Sequence, residues 1–103
     1  MLELKGKSIV WDEPKNRKNL RDHGITFTEA AMAIIERSFE ILYDENHSSL
    51  DETRWMGLGM VNHSLFALCF VERGDELRLY SARKAVPKEK RLYNDHINQI
   101  FGA

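Results

Sequence analysis

The sequence predicts an α+β domain, with helices packed on an antiparallel sheet of four to five strands. Three observations carry that expectation. From residue 39 to residue 83, alternating β-rich stretches follow one another with only short connections, as in an antiparallel meander. The segments before and after that region carry helix start and stop signals instead. The chain of 103 residues, 43 % of them apolar and 30 % charged, is long enough for one core but not for two.

Taken in order, SIVWD (Ser8 to Asp12) is a short strand candidate. Asp12 then caps a helix with Pro14 in its first turn, where a missing N–H is no loss. That helix, EPKNRKNLRDH, stops at Gly24, which adopts a left-handed conformation without strain. Leu20 is its only aliphatic residue, so it either docks loosely or turns a polar face to something. Thr26 and Glu29 have capping-box spacing ahead of AAMAII, which predicts a second, well-packed helix over about residues 28–36. FEILYDE (39–45) reads as a strand and NHSSLDE as a loop. RWMGLGMV and SLFALCFVE read as strands joined by the tight turn Asn62-His63, and Gly74-Asp75 marks a hairpin into ELRLYSAR. Pro87 opens the last helix, PKEKRLYNDHINQIF, with Leu92, Ile97, Ile100 and Phe101 as its apolar side. The order is β-α-α-β-β-β-β-α, one domain over residues 1–103 without repeats or linkers.

Several function classes are disfavoured. Cys69 is the single cysteine and lacks any metal-ligand spacing, so a packing role in a reducing compartment is expected. No apolar run approaches the ~20 residues of a membrane span. The start, MLELKGKSIV, does not have the form of a signal peptide, and a cytoplasmic location is expected. HExxH, CxxC, P-loop and GxSxG patterns are missing, so neither a metal nor another cofactor is expected. The net charge of −1 hides a division along the chain. Residues 5–23 carry six Lys or Arg against three acids, and residues 78–91 carry six against one. Residues 36–76 hold nine acids against three cations. Two basic ends form an anion site if they meet in space; otherwise each is a solvated helix face.

WDEPKNRKNLRDHGITFTEAA resembles the opening of the BrnT toxin family, at Trp11, Asp12, Lys15, Asn19, His23, Gly24, Phe27, Ala30 and Ala31. The resemblance continues through His47, Arg54, Gly57, the VER of Val71 to Arg73, and Arg78, Ser81, Ala82 and Arg83, to Glu89, Arg91 and Tyr93. It spans residues 9–93. There are two departures: Leu79-Tyr80 stands where the family often has two Ile, and residues 1–8 form an extra leader. The resemblance implies a RelE-like fold and a ribonuclease that arrests translation, the toxin of a bacterial type II toxin–antitoxin pair. It implies a BrnA-like antitoxin that binds operator DNA through a ribbon-helix-helix domain, so that the toxin meets DNA only indirectly, as part of a hetero-oligomer.

Metal-free RNA cleavage needs a group to accept the 2′-OH proton, a donor for the leaving 5′-oxygen, and cations around the phosphate. Arginine suits the last task because its planar fork stays ionised and donates two parallel hydrogen bonds. Arg83, at the end of the last strand, is the leading candidate, with a salt bridge to the acidic middle as its alternative. Arg78 points to the opposite face of a regular strand, but a bulge at Ser81-Ala82 would realign it; its alternative is a salt bridge to the acidic middle. Arg54 is either a second phosphate clamp or the partner of Asp51 or Glu52.

For proton transfer the candidates are His23, His47, Glu89 and Tyr93. His23 sits at a helix C-terminus, where the dipole favours a cation, and serves as a proton donor or simply as a cap. Glu89 and Tyr93 are four apart and share a helix face. Glu89 is also favoured by the first-turn dipole, and Tyr93 either meets RNA or anchors the helix. Lys15, Arg17, Lys18 and Arg21 crowd like charges on the polar helix and are expected to contact the RNA backbone or the antitoxin. Asn19 and Arg91 join the expected RNA contacts. A non-catalytic module that grips nucleic acid or an acidic partner is the alternative reading, and a purely structural subunit is the third.

Overall fold

In a computed structural model the protein is described over residues 2–4, 6–36, 39–43 and 52–102. Strands β1 (Leu2–Leu4) and β2 (Lys7–Trp11) are followed by helices α1 (Glu13–His23) and α2 (Phe27–Ile34). Then come β3 (Glu40–Tyr43), β4 (Thr53–Val61), β5 (Ser64–Arg73) and β6 (Glu76–Lys84), and the chain closes with α3 (Pro87–Phe101).

Local chemistry sets the element ends. Asp12 accepts a hydrogen bond from the Lys15 amide, and Gly24 ends α1 at φ 74. Thr26 and Glu29 cap α2 reciprocally, each side chain accepting from the other's backbone N–H. Because Thr26 is the cap, α2 begins at Phe27 and ends at Ile34, slightly ahead of the predicted span. Asn62 and His63 both take positive φ (50 and 69), the left-handed pair of a two-residue hairpin turn.

Among the described residues the sheet has six strands in the order β1-β2-β6-β5-β4-β3, and it differs from expectation in two ways. It is mixed, because β2 runs parallel to β6, with Ile9 opposite Leu77 and Trp11 opposite Leu79. It also gains β1, which pairs antiparallel with β2 inside the segment read as a leader. Three residues, LEL, are too short to carry a period, and no local signal dictates which edge β2 will join.

Both faces of the sheet are covered, unequally. On one face Phe27, Ala30, Ala31 and Ile34 of α2 meet Leu68, Phe70, Leu77 and Leu79. Phe39 lies so close over Gly57 that a Cβ there would sit 1.9 Å from the ring, so that position requires glycine. On the other face Tyr93 and Ile97 of α3 pack on Leu58 and Ala67. The expected apolar side of α3 is thus corrected in part. Ile97 packs, but Leu92 and Phe101 are 38 % and 57 % exposed, while Glu89 and Tyr93 are buried.

Candidate functional site

The β-ladder decides which side chains share a face. Arg54 on β4 and Arg78 on β6 both lie opposite Val71 of β5, and Arg83 lies opposite Ala67. Val71 and Ala67 are four apart on β5, so all three arginines project from the same side, the side that carries α3. A bulge makes this possible. Phe70 pairs with Leu79 and Cys69 with Ser81, which leaves Tyr80 as the extra residue. The realigning irregularity therefore sits at Tyr80 rather than at Ser81-Ala82. Arg78 and Arg83 remain about 13 Å apart along the strand, too far to hold one phosphate together.

Arg83 is pinned. Its two Nη groups donate to the two carboxylate oxygens of Glu89 at 2.9 Å each, and Nη2 also lies 3.9 Å from the Met56 sulfur. The Glu89 Oε1 accepts as well from the Val86 amide at the start of α3. Bonding to Arg83 holds the Glu89 carboxyl below the usual carboxylate range against the opposing effect of burial, with the Val86 N–H adding to it. The same pair strengthens the charge of Arg83. Among the described residues no acceptor faces the Arg83 Nε–H.

Beyond α3 the face is open. Lys15, Arg54, Arg73, Arg78 and Tyr80 line a hollow of about 160 Å³ together with Glu52. Arg54 pairs with Glu52 at 2.9 Å and Arg78 with Glu76 at 3.6 Å. These are the local ion pairs that the acidic middle suggested, and solvent and salt screen pairs of this kind. The Arg54 guanidinium also hydrogen-bonds the Tyr80 side chain, which with Glu52 raises its pKa. A second hollow of about 250 Å³ is lined by Lys15, Lys18, His23, Tyr80 and Ser81. Lys15 and Lys18 fall on one stripe of α1 and Arg17 on the opposite stripe, away from both hollows.

Asn19 also lines the second hollow, and its side chain is engaged by the fold. It is buried, accepts from the Ala82 N–H at 3.0 Å, and donates to the carbonyls of Ala82 at 2.9 Å and Ile25 at 3.1 Å. The parallel pairing of β2 with β6 ends at Trp11 and Leu79, and three residues on Asn19 takes the place of a strand at the β6 edge. Tyr93 is 7 % exposed among Leu58 and Ala67, the position of a core anchor. Arg91 is exposed on α3. His47 falls outside the described residues.

A family model described as the ribonuclease toxin BrnT of type II toxin–antitoxin systems matches residues 11–89. The chain belongs to the BrnT family. The matched span carries Lys15, Lys18, His23, Arg54, Arg78, Arg83 and Glu89, while Arg91 and Tyr93 lie just beyond it. No curated protein matches the chain. Membership of a BrnT ribonuclease family implies an RNA target and an antitoxin partner. No helix among the described residues is long and apolar enough to cross a membrane.

Sequence reasoning missed Tyr80 and Arg73 as lining residues, and Met56 as a neighbour of Arg83. Burial along ELRLYSARK records the bulge: Leu77, Leu79 and Ala82 are buried, a step of two followed by a step of three.

Proposed function

We propose that this BrnT-family protein cleaves RNA without a metal ion, arrests translation, and is silenced by a BrnA-like ribbon-helix-helix antitoxin in a cytoplasmic complex. The observation that carries the reading is the common face of Arg54, Arg78 and Arg83, with the α1 cations at its border. A single strand of RNA laid on that face meets cations at successive phosphates. At the scissile phosphate the 2′-OH attacks phosphorus as its proton passes to solvent water. The bond to the 5′-oxygen breaks, that oxygen gains a proton, and a 2′,3′-cyclic phosphate remains. Arg83 offers its Nε–H and its charge to the phosphate oxygens, and Glu89 fixes the guanidinium plane. His23, on the rim of the neighbouring hollow, is the proton donor in this reading.

The same pinned fork also favours a second reading. With both Nη groups of Arg83 held by Glu89, the face can bind a strand without turning it over. Labelled total RNA incubated with purified protein in EDTA separates the two, with Arg83→Ala alongside. Fragments from the wild type and not from a folded mutant support catalysis at Arg83. Wild-type cleavage by the mutant removes Arg83 from the site, and intact RNA in both lanes favours the binding module.

A further inference from the structure

Tyr80 is the residue that the β5–β6 ladder leaves over, and a bulge of this kind re-aims a side chain at the expense of regular pairing. Here it directs a half-buried aromatic ring to the boundary between the two hollows. Tyr80 and Lys15 each line both. On one side are Arg54 and Arg78, on the other Lys18 and His23. The guanidinium carbon of Arg54 lies over the Tyr80 ring, 5.2 Å from its centroid. Single-stranded nucleic acids are held by this pairing of parts, cations along the backbone and an aromatic face for the bases, with arginine adding to the stack.

We propose that Tyr80 is a nucleobase-stacking platform, which makes the site prefer a strand bearing bases over a bare sugar–phosphate backbone. This rests on the RNA reading above and adds to it a specificity-determining residue. A ring that served only to anchor Arg54 would support binding of both kinds of strand alike. The base lies against the ring or the adjoining guanidinium while its flanking phosphates reach the two hollows, so the contact tolerates every base and reads none by hydrogen bonds.

The test uses the full chain and 2′-O-methyl oligonucleotides, which lack the attacking hydroxyl and so separate binding from cleavage. Affinities are measured for a base-bearing strand and for an abasic strand of equal length. Wild type is expected to favour the base-bearing strand by roughly tenfold, within what stacking on one aromatic side chain supplies. Tyr80→Leu, similar in bulk but without a π-face, is expected to lose that preference, read as the ratio of the two affinities, because any loosening of Arg54 weakens both strands alike. Tyr80→Phe is expected to keep it. Thermal melts of both variants identify any loss that comes from unfolding, and the Phe variant then decides. Equal wild-type affinity for the two strands, an undiminished preference in a folded Leu variant, or its loss in a folded Phe variant overturns the platform while the RNA reading stands. Binding of neither strand overturns the RNA reading and the platform with it.

Discussion

Asn19 shows how much one buried amide can hold. α1 presents almost no apolar surface, and Leu20, its one aliphatic side chain, is 49 % exposed. The helix is tied to the sheet instead through Asn19 and the backbone of Ala82. Replacing Asn19 by Ala takes this partner from one buried N–H, that of Ala82, and from two carbonyls, those of Ala82 and Ile25, and a buried group left unpaired costs about 1–3 kcal/mol. We expect Asn19→Ala to lower the unfolding free energy by about 2–3 kcal/mol in urea titrations. A loss below about 0.5 kcal/mol, the scale of an ordinary surface change, would show that α1 is held by something else. Glu89 supports a pH prediction at the same scale. Its pKa is lowered in the folded state, so its contribution is present above the unfolded carboxylate value. That contribution is lost as pH falls from the ordinary carboxylate value of 4.5 through the lower folded value. Glu89→Gln should therefore be less stable than wild type near neutrality and show a shallower loss below that point. Parallel acid limbs in the two proteins would remove Glu89 from the linkage.

At the scale of the element, α3 is the informative case. Its sequence offers Leu92, Ile97, Ile100 and Phe101 as an apolar side, yet Leu92 faces solvent and the buried positions are Glu89 and Tyr93, one turn apart. The ion pair with Arg83 sets this rotation, since it places Glu89 against the sheet and carries Tyr93 onto Leu58 and Ala67. Counting apolar residues cannot anticipate a helix whose first inward contact is a carboxylate. Denaturation of two variants checks the rotation. Tyr93→Ala is expected to cost about 3–4 kcal/mol, as for other large core truncations, whereas Leu92→Ala should remain within about 0.5 kcal/mol of wild type. The reverse ranking would mean that α3 packs through the face its composition suggested. The first two helices and the hairpins were more legible, because Asp12, Gly24, Thr26, Glu29, Asn62 and His63 each act on backbone groups within a few residues.

At the scale of the whole molecule, the division of charge becomes a surface. The two basic ends of the chain meet, since Lys15 of α1 lines the same hollow as Arg54 and Arg78, which come from the sheet. Binding that depends on Lys15, Lys18, Arg54 and Arg78 must weaken with salt, by counterion release. Replacing any one of the four by Ala should make the slope of log affinity against log salt shallower by about 0.7 for a single strand. Arg17→Ala, on the far stripe of α1, should leave the slope unchanged. Titrations of an uncleavable oligonucleotide at several salt concentrations measure it, and a slope indifferent to all four substitutions would place the RNA elsewhere.

By itself the sequence determined the local features: the capped helix ends, the two-residue turn, the run of hairpins and the separation of cations from acids. Each depends on groups a few residues apart, so the information is contained in short windows. It also carried the family motif, although not the work of each residue in it. The tertiary structure alone decided that β2 joins β6 in parallel, that the ladder slips at Tyr80 to bring three arginines to one face, and that Asn19 closes the edge of β6. These depend on which surfaces meet across long stretches of chain, 63 residues between Asn19 and Ala82. Such contacts form when buried apolar area and backbone hydrogen bonds are satisfied together over the whole domain, and no short window contains both partners.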